Sequence, residues 1–286
     1  MKQILIVLAL LYTTIGQVHA QVRLLDFAPP TGDTLGYSKI RCVYEQYVLE
    51  DTVNPQKKPV KNQMYLQIGE QVSKYMSCFE FQSDSLMADD YKKKNNVDIV
   101  EAIQSGRYGK VTEKYDKIQL YKNFPEHKNT IRNRIAGDNY IYQEDIVKPQ
   151  WRIENEKATV LGYSCIKATT TFCGRNYMAW FTPDIPVSDG PWKFTGLPGL
   201  ILRVYDDKGQ VTFECTQILK VGWKDPIVKP KENRNTIKTS KEDFYKQLKR
   251  YCDNPTGVAN SNTRVTTTAT RRILPRMPYN PIERIE

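Results

Sequence analysis

The residues of this chain that first invite chemistry are its six cysteines: Cys42, Cys78, Cys165, Cys173, Cys215 and Cys252. An even count points to disulfides, with reactive thiols as the alternative. No two are spaced as CxxC, so neither a zinc knuckle nor a thioredoxin-type pair is expected. Beyond residue 20 there is one histidine, His127, in the turn-like run Phe-Pro-Glu-His-Lys-Asn, which reads as surface. Asp206-Asp207 could pair as acid and base, but Asp-Asp-Lys-Gly between two apolar runs is better explained as a hairpin turn. There is no GxSxG, no phosphate-cradling glycine loop and no DxDxDG calcium loop. No catalytic residue, metal site or cofactor is therefore assigned.

Aromatic side chains are the remaining candidates. Trp180, Trp192 and Phe194 gather around residues 190–205, where they either pack a core or line a site for an apolar or sugar-like ligand. Pro183, Pro186 and Pro191 keep this segment free of helix. Gly190 and Gly196 allow close backbone approach. Pro198-Gly199 fits a type II turn, with Gly199 at the positive-φ position. Leu200, Ile201, Leu202 and Val204 then form a short buried strand.

The elements that must position these residues are mostly strands. Residues 36–50 and the alternating Met64, Leu66 and Ile68 read as the first two, and Val72, Tyr75 and Met76 begin a third. A helical insert follows, starting at Ser83-Asp84-Ser85 and ending near Lys92, with a second short helix over 98–105. From 110 to 221 short strands alternate with turns, including turns at Glu154–Lys157 and Gly174-Arg175-Asn176. After Trp223 one helix stands out near 240–252, capped by a Thr239/Glu242 box, with Phe244, Leu248 and Tyr251 on one face. Thr256 to Met277 reads as mobile. The expected fold is mainly β (α+β): an antiparallel, curved sheet or partly open barrel with a few helices and a basic C-terminal extension.

Address and charge narrow the function. Lys2, the apolar run Ile4–Leu11 and the site Val18-His19-Ala20 read as a signal peptide over 1–20. No later stretch has the apolar length of a membrane helix, so no transmembrane anchor is expected after cleavage. The expected divisions are a lead-in at 21–35, a β domain at 36–222 and a basic extension at 223–286. The formal charge is +10, and residues 221–286 hold fourteen Lys/Arg against seven Asp/Glu. That excess suits either a solvated tail or contact with an envelope protein or anionic surface. Nucleic acid is excluded by export and by the lack of a binding motif.

The hexapeptide Gly196-Leu197-Pro198-Gly199-Leu200-Ile201 resembles the defining motif of the bacterial GLPGLI family, also called Porph_ging. The likeness extends to Leu161-Gly162-Tyr163, Lys167-Ala168, Gly174-Arg175, Ala179-Trp180-Phe181-Thr182, Ile185-Pro186 and Gly190-Pro191. Near the end, Asn280-Pro281-Ile282-Glu283 is similar to the family's usual C-terminal motif. The resemblance implies an exported protein of unknown biochemical function in the periplasm or at the cell surface. It supplies no catalytic residues, and the cysteines lie outside its motif. The expected role is a non-catalytic binding or structural protein of the bacterial envelope. The alternatives are a carrier of a hydrophobic ligand on a curved sheet and a carboxylate-dependent hydrolase of envelope glycans.

Overall fold

The structure is a computed structural model that describes residues 32–54, 56–92, 105, 116–221, 225–232, 234, 236–262 and 273–284. The expected signal peptide, most of the 98–105 helix and residues 263–272 lie outside these.

Fourteen described strands run in chain order: β1 (Gly32–Tyr37), β2 (Ile40–Val48), β3 (Val60–Ile68), β4 (Ser73–Ser77), β5 (Gln119–Lys122), β6 (Lys128–Ile135), β7 (Asp138–Asp145), β8 (Arg152–Val160), β9 (Tyr163–Phe172), β10 (Arg175–Thr182), β11 (Leu200–Asp206), β12 (Val211–Lys220), β13 (Pro226–Pro230) and β14 (Thr236–Lys238). Three helices accompany them: α1 (Cys78–Lys92), α2 (Lys241–Asp253) and α3 (Pro255–Asn262). Twelve strands form one sheet in the order β14-β7-β6-β5-β4-β3-β2-β12-β11-β10-β9-β8, and β1 pairs with β13 in a separate ribbon. The large sheet is antiparallel except where β14 joins β7, and it does not close into a barrel.

The period-2 pattern explains why one face is apolar. The pairing register aligns Cys42, Leu66, Tyr75, Leu120, Ile131 and Tyr142 across six neighbouring strands, and all six are buried. At the end of this row Phe244 of α2 packs on Tyr142, ring centroids 5.4 Å apart. Leu248 and Tyr251 also pack against the core, so the helix buries the face its spacing indicates. The next row is polar and points the other way: Arg41, Gln67, Lys74, Tyr121, Thr130 and Gln143. The β1–β13 ribbon lies across its start. Asp225 accepts from Arg41 and Gln67, and the Val228 carbonyl accepts from Lys74 at 2.9 Å and Tyr121 at 3.2 Å.

Several local expectations shift. Helix α1 begins at Cys78, before Ser83, where the Ser77 hydroxyl accepts from the Phe79 amide. The N-cap of α2 is Ser240, one residue later than Thr239, and its hydroxyl accepts from the Asp243 amide at 3.0 Å. Glu154–Lys157 is no turn. It sits inside β8, where the register with β9 slips between Ile153 and Lys157. Such a bulge lets an edge strand bend without ending. The β9–β10 turn is Cys173-Gly174, both at positive φ, with Arg175 already in the strand. Part of the segment read as mobile has defined structure: α3 covers 255–262, and Leu274, Arg276 and Met277 bond to Thr256, Asp253 and Cys252 of the last two helices.

Candidate functional site

The helix-free loop over 183–199 is held by its own backbone. Three short turns, each closed by an amide two residues beyond its acceptor, are centred on Pro186, Ser188 and Pro198, at 2.7, 2.8 and 2.9 Å. Its carbonyls also accept from the next strand, Ile185 from Leu200 at 3.0 Å and Asp189 from Ile201 at 3.0 Å. The glycines divide their work differently from the sequence reading. Gly196 takes the positive φ, at 95°, and has space around it. Gly199 is not at positive φ, so the type II turn is not formed. A Cβ there would lie 2.2 Å from the Thr182 carbonyl oxygen, so close strand approach is what requires glycine. Gly190 is tight as expected, against Ile201 at 2.8 Å.

Lys122 of β5 pins the loop from below. Its ammonium donates to Asp189 Oδ1 and to the Gly190 carbonyl, both at 2.6 Å. Burial lowers the Lys122 pKa against the pull of Asp189.

Around this loop the C-terminal residues form a clasp. Arg175 is buried at the start of β10 and uses all five of its N–H donors. Nη1 donates to Asp206 at 2.8 Å and Gln210 at 3.0 Å, Nη2 to Asn280 at 2.7 Å and the Pro281 carbonyl at 2.9 Å, and Nε to the Ile282 carbonyl at 3.1 Å. One residue on, Glu283 is buried between two lysines. It accepts from Lys193 of the loop at 2.5 Å, Lys241 of α2 at 2.9 Å and the Tyr245 hydroxyl at 3.2 Å. Both lysines also pair with Glu144 of β7, at 2.5 and 3.4 Å. Two cations and two anions thus balance.

The titration of these groups follows from that balance. Burial by itself would raise the Glu283 carboxyl, but Lys193 and Lys241 outweigh it and hold it below the usual range. Burial works against the Lys241 ammonium, yet Glu283 and Glu144 push it up to about 12. The Cys173 thiol, 3.7 Å from Glu283, is pushed up to about 12 by burial and then by that carboxylate. A thiol so held is a poor nucleophile.

The residues singled out in the sequence are placed as follows. Trp192 and Phe194 are in the core, ring centroids 5.5 Å apart. Phe194 also meets Tyr177 at 4.8 Å, Phe213 at 5.8 Å and Phe172 at 5.9 Å. Trp180 is half-buried and separate from that pair, cross-strand from Lys167 and Arg203. His127 has an 88% exposed side chain and sits in a turn after β5. Asp206 is buried and structural: one oxygen takes the Gln210 and Val211 amides at 2.6 and 2.9 Å, the other takes Arg175. No disulfide joins any two of Cys42, Cys78, Cys165, Cys173, Cys215 and Cys252. Among the described residues no group of His, Cys, Asp and Glu is arranged to hold a metal ion.

Sequence reasoning missed the clasp as a unit. Arg175 and Glu283 fall within segments that carry the family likeness, and Lys193 lies beside Trp192. Glu144 and Lys241 carry no local signal. Only the fold brings β7, β10, the loop, α2 and the tail to one place.

The class these features define is an open, antiparallel-dominated β sheet with its C-terminal residues clasped onto β10 and the 183–199 loop. Residues 174–203, which span β10, the loop and the start of β11, match the family Porph_ging, described as a protein of unknown function. This is the family that the hexapeptide and its surrounding motifs resemble. No curated protein matches the chain. Among solved structures, the chain is similar to PNGF-II in two crystal forms, at 15% and 14% identity and a TM-score of 0.43 in each. These alignments cover 74% and 73% of this chain but 33% and 32% of PNGF-II, so the chain spans about a third of that protein's length. Among the described residues no helix is long and apolar enough to cross a membrane.

Proposed function

We propose that the chain is an exported, non-catalytic binding or structural protein of the bacterial envelope. One observation carries this reading. The buried charged groups around the loop are engaged with one another: Arg175 with Asp206, Lys122 with Asp189, and Lys193 and Lys241 with Glu144 and Glu283. Contact with a partner then falls to the surface. The basic extension keeps its excess of positive charge, because carboxylates that pair with it, Glu232, Asp253 and Glu283, belong to the same stretch. Lys229, Lys238, Lys241, Lys249 and Arg276 each pair with a carboxylate. That excess suits an envelope protein with an acidic face, or another anionic surface.

The hydrolase alternative has one point of support, since Glu144 and Glu283 share the same two lysines. Catalytic carboxylate pairs work by keeping their affinities for protons apart, whereas here each carboxylate is neutralised by ammonium groups. The carrier alternative needs space on the apolar face of the 140–220 strands. Phe194 and its ring neighbours fill it.

The test is native mass spectrometry of the full chain isolated from its own cell envelope. A protein adduct released by high salt is expected. Bare chain that releases products from envelope glycans, with release abolished in Glu144→Gln, would overturn the reading.

A further inference from the structure

Cys42 and Cys215 occupy adjacent antiparallel strands. Cys215 of β12 stands opposite Tyr44 of β2, and Cys42 is two residues along on the same face, opposite Ile218. In a regular ladder such diagonal neighbours lie just beyond what a disulfide spans without backbone movement. This ladder is irregular: β12 carries one extra residue, Thr216, between Cys215 and Gln217. The bulge kinks β12 beside Cys42, and the two side chains interact directly in the core. Other cysteines have different neighbours. Cys165 donates to the Tyr163 carbonyl at 3.6 Å, Cys173 meets Glu283, and Cys78 lies beside Tyr65 and Arg41.

We propose that Cys42 and Cys215 are the pair that closes a disulfide in the mature protein, tying the first long strand to the last strand of the hairpin that follows the hexapeptide. Both side chains are fully buried in the folded chain. The neighbouring Cys215 thiol and burial raise the Cys42 pKa well above its ordinary value, so Cys42 exchanges slowly once folded. Oxidation therefore belongs to the stage when β2 and β12 first meet. The Cys42 thiolate attacks a disulfide-bearing oxidant, small or protein, and displaces one of its sulfurs. The Cys215 thiolate then attacks the mixed disulfide and displaces the second. The chain gives up two electrons, and the two protons lost by the cysteines are taken by the departing thiolates. An oxidising compartment supplies such an oxidant, so the inference rests on the export proposed above.

The experiment has two arms that separate pairing from export. In the first, the purified full chain is unfolded under reduction and refolded in oxidised and reduced glutathione. It is then denatured and alkylated without reductant. Four labels are expected against six for the reduced chain, together with a linked peptide containing Cys42 and Cys215. The melting temperature should fall on adding reductant, and Cys42→Ser/Cys215→Ser should fold and lose that response. Six labels, or a link between any other two cysteines, would overturn the pairing whatever the compartment. In the second arm, thiols are trapped with acid in intact cells. A Cys42–Cys215 link there supports both pairing and export. A link formed on refolding but missing in cells would sustain the pairing and reject the export on which its biological role depends.

Discussion

Glu283→Gln is the change that most directly tests the clasp. It keeps the shape of the side chain and removes its charge, leaving Lys193 and Lys241 to share Glu144 alone. Taking one partner from a buried ion pair costs ~3–5 kcal/mol, because the survivor stays desolvated. Lys241 keeps some access to water, with a side chain 29% exposed, so the lower end applies, about 3 kcal/mol. For a chain of this size that corresponds to a melting temperature lower by about 6–12 °C. Urea unfolding followed by tryptophan fluorescence measures it, since Trp192 is buried beside Lys193. The pH dependence has a defined sign. A carboxyl held low in the folded state stabilises above its unfolded pKa of about 4.3, and that contribution is lost as pH falls through the folded value. The gap between wild type and variant should therefore narrow in acid. Adding Lys193→Met leaves Glu144 facing Lys241, so the double variant should lose less than the two single losses combined. A variant within about 0.5 kcal/mol of wild type at pH 7 would refute a buried, charged clasp, as would a loss unchanged in acid.

Other outcomes follow from the same structure. Gly199→Ala should destabilise by roughly 1–3 kcal/mol or more, because its Cβ meets the Thr182 carbonyl oxygen at 2.2 Å, whereas Gly209→Ala has only φ strain to bear; chemical denaturation of both checks the order. Lys74 is buried with its pKa lowered to about 8, so its folded-state cost is full below that pH and relieved between about 8 and 10.4. Relative to the parent, Lys74→Met should thus be about 3 kcal/mol better off at pH 7 than at pH 10, by unfolding at both, and an effect equal at the two pH values would count against the assignment. Above about 10 the buried Tyr44, Tyr75 and Tyr121, whose burial raises their pKa values, reverse the trend in the parent. Tyr177→Phe should be neutral or slightly stabilising, since its hydroxyl is buried without a hydrogen-bond partner; a clear loss of thermal stability would mean the hydroxyl is satisfied in solution.

What the sequence by itself determined was local. Alternation over Met64, Leu66 and Ile68 set β3, Asp206–Gly209 set a hairpin turn, and the spacing of Phe244, Leu248 and Tyr251 set the buried face of α2. These patterns repeat within a few residues, and burial of one face is enough to select them. The resemblance to a family was legible too, because it rests on the order of letters. What the tertiary structure decided were the long-range choices. A lysine that will be buried reads like any surface lysine, so neither Lys193 nor Lys122 announced itself. Gly196 reads as the close-approach glycine and Gly199 as the positive-φ one, and the approach of Thr182 to Gly199 reverses the two. Glu283 became a buried anion only because the chain returned across more than a hundred residues to Cys173 and Arg175. Periodicity carries no term for such pairings, since desolvation and charge balance belong to the assembled core and not to any stretch of chain.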